Sequence, residues 1–89
     1  MENDALWQEV MEELKLSIEP NALKTWFKHA RIHRIDKSEM VIYATNEFAA
    51  DWMRKHFLQD VKSAVKKVLP TIDKVKISYE ENSQEQKGV

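Results

Sequence analysis

An apolar stripe with the period of an α-helix opens the chain. Its members recur at intervals of one, three or four residues and therefore share one helical face: Trp7, Val10, Met11, Leu14 and Ile18. Asn3 or Asp4 can cap this helix, since both side chains accept hydrogen bonds from free backbone amides. Residues 17–19 interrupt the pattern. Pro20 then indicates the first turn of a second helix, where its missing N–H costs nothing.

The hydrophobic period changes in the second quarter of the chain. Helical spacing still predicts one buried face for the second helix, formed by Leu23, Trp26 and Phe27. After Ala30, Ile32 and Ile35 lie among charged residues, and Asp36-Lys37-Ser38 has the composition of a turn. Residues 40–44 alternate as in a β-strand. Together these segments predict a β-hairpin.

A longer helical stripe follows, and a strand closes the folded part. Asn46 is well suited to cap this third helix. Its apolar residues keep helical spacing over about six turns, and a break is expected near residues 56–60. Pro70 ends the helix, because the residue before a proline resists the α conformation. Apolar and polar side chains alternate over residues 75–79, which predicts a half-buried strand.

These elements stand in the order α-α-β-β-α-β. Three helices and three strands predict an α+β fold, a two-layer sandwich in which a three-stranded sheet packs on helices. We expect residues 1–79 to form one domain. Residues 80–89 have a single apolar side chain, at their end, and predict a polar, solvated tail.

Composition excludes several kinds of small-molecule site. The 89 residues include one glycine, Gly88, whereas loops that cradle phosphate depend on glycine for their backbone angles. There is no cysteine, so thiol nucleophiles and thiolate metal sites are excluded. His29 and His33 are four residues apart, but the expected helix end at Ala30 spoils the geometry of a metal pair. We therefore predict no enzyme activity, no cofactor and no metal.

Charge is balanced overall but unevenly distributed. The 14 basic and 15 acidic residues give a formal net charge of −1, which argues against nucleic-acid binding through bulk electrostatics. Residues 1–20 contain six acids and one base, whereas residues 21–37 contain five bases and one acid. The acidic start lacks the apolar region of a signal peptide, and no apolar run reaches the ~20 residues of a membrane span. We expect a cytoplasmic protein without membrane contact.

Three stretches together resemble one known family. They are LWQEV at the start, TWF at residues 25–27 and VIYATNEFAADWMRKHF in the middle. Asn46, Phe48 and Asp51-Trp52 have the spacing typical of that family, with Thr45 where it commonly has proline. Over about residues 5–79 the chain thus resembles domain I, the N-terminal domain, of the bacterial chromosomal replication initiator DnaA.

The resemblance implies a KH-like interaction domain that performs no catalysis. In this family the domain self-associates at the replication origin, and it docks the replicative helicase and small regulators of initiation. The expected partners are therefore copies of this chain, the helicase and such regulators. The ATPase and origin-binding modules of the family are absent from these 89 residues. The stretch from Glu80 resembles the start of the family's flexible linker.

The resemblance implies two principal contact regions. Leu6 and Trp7 fall where the family self-associates, although Trp7 can equally close the edge of the core. Phe48 falls where the family contacts helicase, although it can equally be a core residue at the start of its helix.

Further candidate residues surround Phe48 or begin the second helix. Asn46 and Glu47 precede Phe48, and Asn46 also serves as a cap. Asn21 and Ala22 fall on a second partner surface of the family, but Ala22 stands where an acidic residue is often found. Helical spacing places two tryptophans, Trp26 and Trp52, in the core.

Two other functions stay open from the sequence. A KH-like module can bind single-stranded DNA weakly through charge and base stacking, with Lys62, Lys66 and Lys67 as candidate contacts. The same lysines can equally form a solvated helix face. A free-standing copy of the domain can instead regulate the oligomerisation of the initiator by capping it.

Overall fold

The structure, a computed structural model, describes residues 2–80, with side chains from Asn3 onward. Apart from Glu80, the predicted tail lies outside the described residues. The elements are, in chain order, α1 (Glu2–Leu14), α2 (Pro20–Phe27), β1 (Arg31–Asp36), β2 (Glu39–Ala44), α3 (Glu47–His56), α4 (Leu58–Val68) and β3 (Lys74–Tyr79). The α+β class and the predicted order are confirmed, and the third predicted helix is divided into α3 and α4.

The three strands form one mixed sheet with β2 at its centre. β1 pairs with β2 antiparallel through a tight hairpin at the predicted turn, where Lys37 takes a left-handed backbone conformation with a φ of 53°. β3 pairs with β2 in parallel, and α3 and α4 connect the two strands. A parallel pair requires such a long crossover, whereas an antiparallel pair closes with a short turn.

A β-bulge in β1 explains how Ile32 and Ile35 reach the same face of the sheet. In a regular strand, residues three apart point to opposite faces. The register shifts at His33, which is left as an extra residue. Ile32 therefore pairs with Ile42, and Ile35 pairs with Met40, so both isoleucines face the helices.

One hydrophobic core lies between this face of the sheet and the helical layer. β2 contributes Met40 and Ile42, and both are completely buried. Each helix adds a buried stripe, whose largest completely buried members are Val10, Leu14, Phe27, Met53, Val61 and Val65. The longest helix in residues 2–80 has 13 residues, and none is long and apolar enough to cross a membrane.

The division between α3 and α4 falls at Phe57. The Phe57 N–H donates to the Met53 carbonyl at 2.8 Å, and the Phe57 carbonyl accepts from the Val61 N–H at 2.9 Å. The ring of Phe57 packs edge-on against Phe27 of α2, with centroids 5.7 Å apart. The expected break near residues 56–60 is thus confirmed, and α4 beyond it packs along α1.

Arg54 fastens α3 to the outer edge of β3. Its guanidinium donates to the Ile77 carbonyl at 3.2 Å and to the Asp51 carboxylate at 3.0 Å. An edge strand presents unpaired backbone groups that invite pairing with another chain. Arg54 occupies one of those groups and so protects part of this edge.

Two leucines near the end of α1 provide a matched test of the core. Leu14 is completely buried, whereas Leu16, just after the helix, is 77% exposed. We expect Leu14→Ala to lower the free energy of unfolding by about 2–5 kcal/mol, because it removes apolar contacts and leaves a cavity. Leu16→Ala should change it by less than about 0.5 kcal/mol. Urea denaturation followed by circular dichroism measures both, and equal losses would contradict the assigned core.

Candidate functional site

Three aromatic side chains from α2 and α3 form a cluster at the surface. Trp26 of α2 stacks on Trp52 of α3, with ring centroids 5.0 Å apart and an angle of 14° between the planes. The Phe48 ring packs against both, at 5.6 Å from Trp26 and 6.2 Å from Trp52. We call Trp26, Phe48 and Trp52 the aromatic cluster. His56 extends it, with its ring 4.3 Å from that of Trp52.

The aromatic cluster reaches solvent because α3 uses other residues for the core. Ala49, Ala50 and Met53 form the buried face of α3. Two of these side chains are small, so the helix can approach the sheet closely. Phe48 and Trp52 lie one turn apart on the neighbouring stripe, where they remain 64% and 36% exposed.

The prediction that Trp26 and Trp52 belong to the core is wrong for Trp52 and holds only in part for Trp26. Trp52 is exposed, and Trp26 is partly buried with one side against the core. The physical reason is that α3 carries two adjacent apolar stripes. One consists of small residues and methionine against the sheet, and the other consists of aromatics against α2.

Asn46 and Glu47 lie at the start of α3, beside Phe48. The Asn46 side-chain oxygen accepts a hydrogen bond from the Ala49 N–H at 2.8 Å, which confirms the predicted cap. Glu47 is exposed in the first turn, where a negative charge interacts favourably with the helix dipole. Both residues therefore stabilise the turn that presents Phe48.

Asn21 and Ala22 lie in the first turn of α2. Asn21 is exposed, and Ala22 is half-buried. Ala22 precedes Trp26 by four residues, so the two share one flank of the helix. The structure thus aligns Ala22 with the aromatic cluster and leaves Asn21 on the solvent side.

Leu6 and Trp7 do not form an exposed pair. Trp7 is 7% exposed and belongs to the hydrophobic core, against which the half-buried Leu6 packs. The burial of Trp7 agrees with the alternative in which it closes the edge of the core. The role of this region in self-association stays a prediction, and Leu6 is the apolar side chain of the pair that solvent still reaches.

The three candidate lysines of α4 are exposed, but two of them form ion pairs. Lys66 lies 3.2 Å from Asp73, and Lys67 lies 3.7 Å from Glu13. These carboxylates offset part of the positive charge that a phosphate backbone requires. The helix face around Lys62 is therefore a weaker nucleic-acid surface than its sequence indicates.

The sequence reasoning missed a second surface, the open face of the sheet. Tyr43 lies there, with the ring of His33 stacked on it at 4.1 Å and the Arg31 guanidinium 5.4 Å from its centroid. Arg34 and Lys76 lie on the same face, on either side of the central strand. The alternation of side chains along the strands could have predicted which residues share this face. The bulge at His33 shifts that alternation in β1.

The candidate metal pair, His29 and His33, does not lie on one helix. His29 follows the end of α2, whereas His33 lies in β1 and stacks on Tyr43. Among the described residues, no three metal-ligating side chains come together.

The sequence matches a known family over most of its folded part. The family model described as DnaA N-terminal domain matches residues 4–67, which include the aromatic cluster. Proteins named "Chromosomal replication initiator protein DnaA" from Trichormus variabilis and Nostoc punctiforme are each 30% identical to this chain over 66 residues. Each match covers 74% of this chain and 14% of the relative, so the chain spans about one seventh of their length. The chain belongs to the DnaA N-terminal domain family.

Proposed function

We propose that this chain is a protein-interaction domain of replication initiation, and that the aromatic cluster docks the replicative helicase or a small regulator. The observation that carries the proposal is the 64% exposure of Phe48 beside two further large aromatic rings. Aromatic side chains are enriched at the centres of protein interfaces. A contiguous apolar patch on a small domain marks such a surface.

The geometry of the aromatic cluster suits a partner that binds without rearranging it. The stack of Trp26 on Trp52 holds both rings in place, so few side-chain rotations are lost on binding. The cap at Asn46 fixes the helical turn from which Phe48 projects. Asn21 and Glu47, at the starts of α2 and α3, are exposed polar side chains that can form hydrogen bonds with a partner.

A contact surface as small as the aromatic cluster supports reversible assembly. A single small patch binds weakly, but several domains held near one another raise the effective concentration to about the millimolar range. Self-association through the Leu6 region of α1 brings copies together, and the aromatic cluster then presents several docking sites to one partner. The proposal requires no catalytic step and no cofactor in this domain.

A second candidate function is weak binding of single-stranded DNA on the open face of the sheet. The observation that favours it is the stacked pair of His33 and Tyr43 beside Arg31, because an aromatic surface next to an arginine can stack on a base. Arg31 pairs with Glu80 at 2.9 Å, and Arg34 lies 3.8 Å from Asp36. These acids compete with phosphate, so we expect low affinity and strong salt dependence.

The docking role of the aromatic cluster is tested by Phe48→Ala. We expect binding to the replicative helicase of the same organism to weaken at least about tenfold, because the most exposed anchor is removed. The unfolding midpoint should stay close to that of the unmodified chain. Leu16→Ala is the matched control, since Leu16 is an exposed apolar residue outside the cluster. Surface plasmon resonance measures both variants, and a Phe48→Ala chain that binds normally would place helicase docking elsewhere.

Self-association is tested by Leu6→Ala in sedimentation equilibrium. We expect the fraction of associated chains to fall, because a partly exposed apolar contact is removed without opening the core. Trp7→Ala is unsuitable for this purpose, since truncation of a buried tryptophan costs about 3–5 kcal/mol and unfolds a small domain. Leu16→Ala again serves as control. Unchanged association in Leu6→Ala would exclude this part of α1 as the contact.

DNA binding is tested by Tyr43→Leu. Leucine keeps an apolar side chain at this position but has neither the aromatic ring nor the hydroxyl group of tyrosine. We expect fluorescence anisotropy with labelled oligothymidine to show at least about fivefold weaker binding, since one base stack is lost. Lys62→Ala should bind as the unmodified chain does. The reverse result would assign DNA contact to α4 instead of the sheet.

A further inference from the structure

A groove lies on the flank of α2 that faces away from the aromatic cluster. It has a volume of about 470 Å³ and runs between the end of α1, the connection to α2, and α2 itself. Its floor is apolar and is formed by Met11, Ile18, Pro20 and Leu23. A concavity of this size and lining is in the range that accommodates a few apolar side chains of a binding partner.

Three lysines surround this apolar floor. Lys24 lies on α2, and Lys28 follows directly after the end of that helix, one turn further along. Lys15 lies across from them, just after the end of α1. Lys15 is 3.0 Å from Glu12, whereas Lys24 and Lys28 form no ion pair with any residue in the range 3–80. Two positive charges on the α2 side of the groove thus remain for a partner.

The groove and the aromatic cluster are separated by α2. Trp26 is two residues from both Lys24 and Lys28, which corresponds to about 200° around the helix axis. The lysines and Trp26 therefore point to nearly opposite sides of α2. A partner in the groove leaves the aromatic cluster accessible, so the two surfaces can be occupied together.

We propose that this groove binds an acidic amphipathic helix of a partner protein. Apolar side chains on one face of that helix fill the floor, as in other helix-in-groove complexes. Carboxylates along one border of the helix then face Lys24 and Lys28, and this charge complementarity fixes the orientation. Glu12 makes the α1 side of the groove less positive, so the carboxylates belong on the α2 side.

A second copy of this chain is a poor occupant of the groove. Its most acidic helix is α1, but the apolar face of α1 is already buried in its own core through Val10 and Leu14. Nucleic acid also fits poorly, because the groove lining contains no aromatic ring on which a base can stack. The lining favours a partner that offers apolar side chains and carboxylates together.

The probe for this proposal is a synthetic helical peptide of about 14 residues, with leucines at helical spacing and glutamates on one border. The control peptide replaces each glutamate with lysine. Met11 is the reporter, because it lies in the groove while Met40 and Met53 are completely buried. We expect the acidic peptide to shift the Met11 methyl resonance and to leave those of Met40 and Met53 nearly unchanged. Binding of both peptides with equal affinity would overturn the proposal.

The lysines are tested by the double variant Lys24→Glu, Lys28→Glu. We expect the acidic peptide to bind at least about tenfold more weakly, and an increase in salt to weaken binding to the unmodified chain. The matched control reverses two exposed helix lysines elsewhere, Lys55→Glu and Lys62→Glu, and should bind normally. Equal loss in both double variants would show that only net charge matters and would overturn the proposal.

Two further measurements distinguish peptide binding in the groove from docking at the aromatic cluster and from loss of folding. Phe48→Ala should bind the acidic peptide normally, even where it no longer binds helicase. Lys28→Gln removes the charge of Lys28 without reversing it. This variant should bind the acidic peptide more weakly and keep the thermal unfolding midpoint of the unmodified chain. Anionic lipid vesicles serve as a further probe. If the vesicles shift the Met11 methyl resonance and the acidic peptide does not, the groove binds a membrane surface, and the proposal is overturned.

Discussion

The fold depends on covering the one apolar face of a three-stranded sheet. β2 lies at the centre of that sheet, and its Met40 and Ile42 are completely buried beneath the helices. Since the opposite face is mostly polar, all four helices turn their buried stripes to the same side. Within the described residues, no polar or charged side chain is buried, so apolar burial is the main stabilising interaction.

This arrangement decides where the aromatic surface forms. α3 packs against the sheet through Ala49, Ala50 and Met53, which leaves its aromatic stripe beside α2. Trp26 meets Phe48 and Trp52 there, and the three rings cover part of each other's surface. Their exposure therefore costs the fold less than three isolated aromatic side chains would, and the same packing that closes the helical layer forms the candidate docking site.

α2 separates two surfaces of different chemistry. It has eight residues, of which Leu23 and Phe27 are buried. One flank contributes Trp26 to the aromatic cluster. The other contributes Lys24 to the groove, together with Lys28 directly after the helix end. A small domain can thus present an uncharged anchor and a charged groove to different partners, because a short helix exposes both of its flanks.

Reading along the chain was enough to predict the order of elements, the helix start at Pro20, the Asn46 cap, the break before α4 and the family to which the chain belongs. These features depend on the spacing of neighbouring residues and on their backbone preferences, both of which can be predicted from the sequence. The bulge at His33, the burial of Trp7 and the exposure of Trp52 were decided by the tertiary structure. Helical spacing shows which residues share a stripe, but only the packed helices and sheet determine which stripe a neighbour covers. The lysine-lined groove has the same origin, since its residues come from α1, the connection and α2 and meet only when the helices pack.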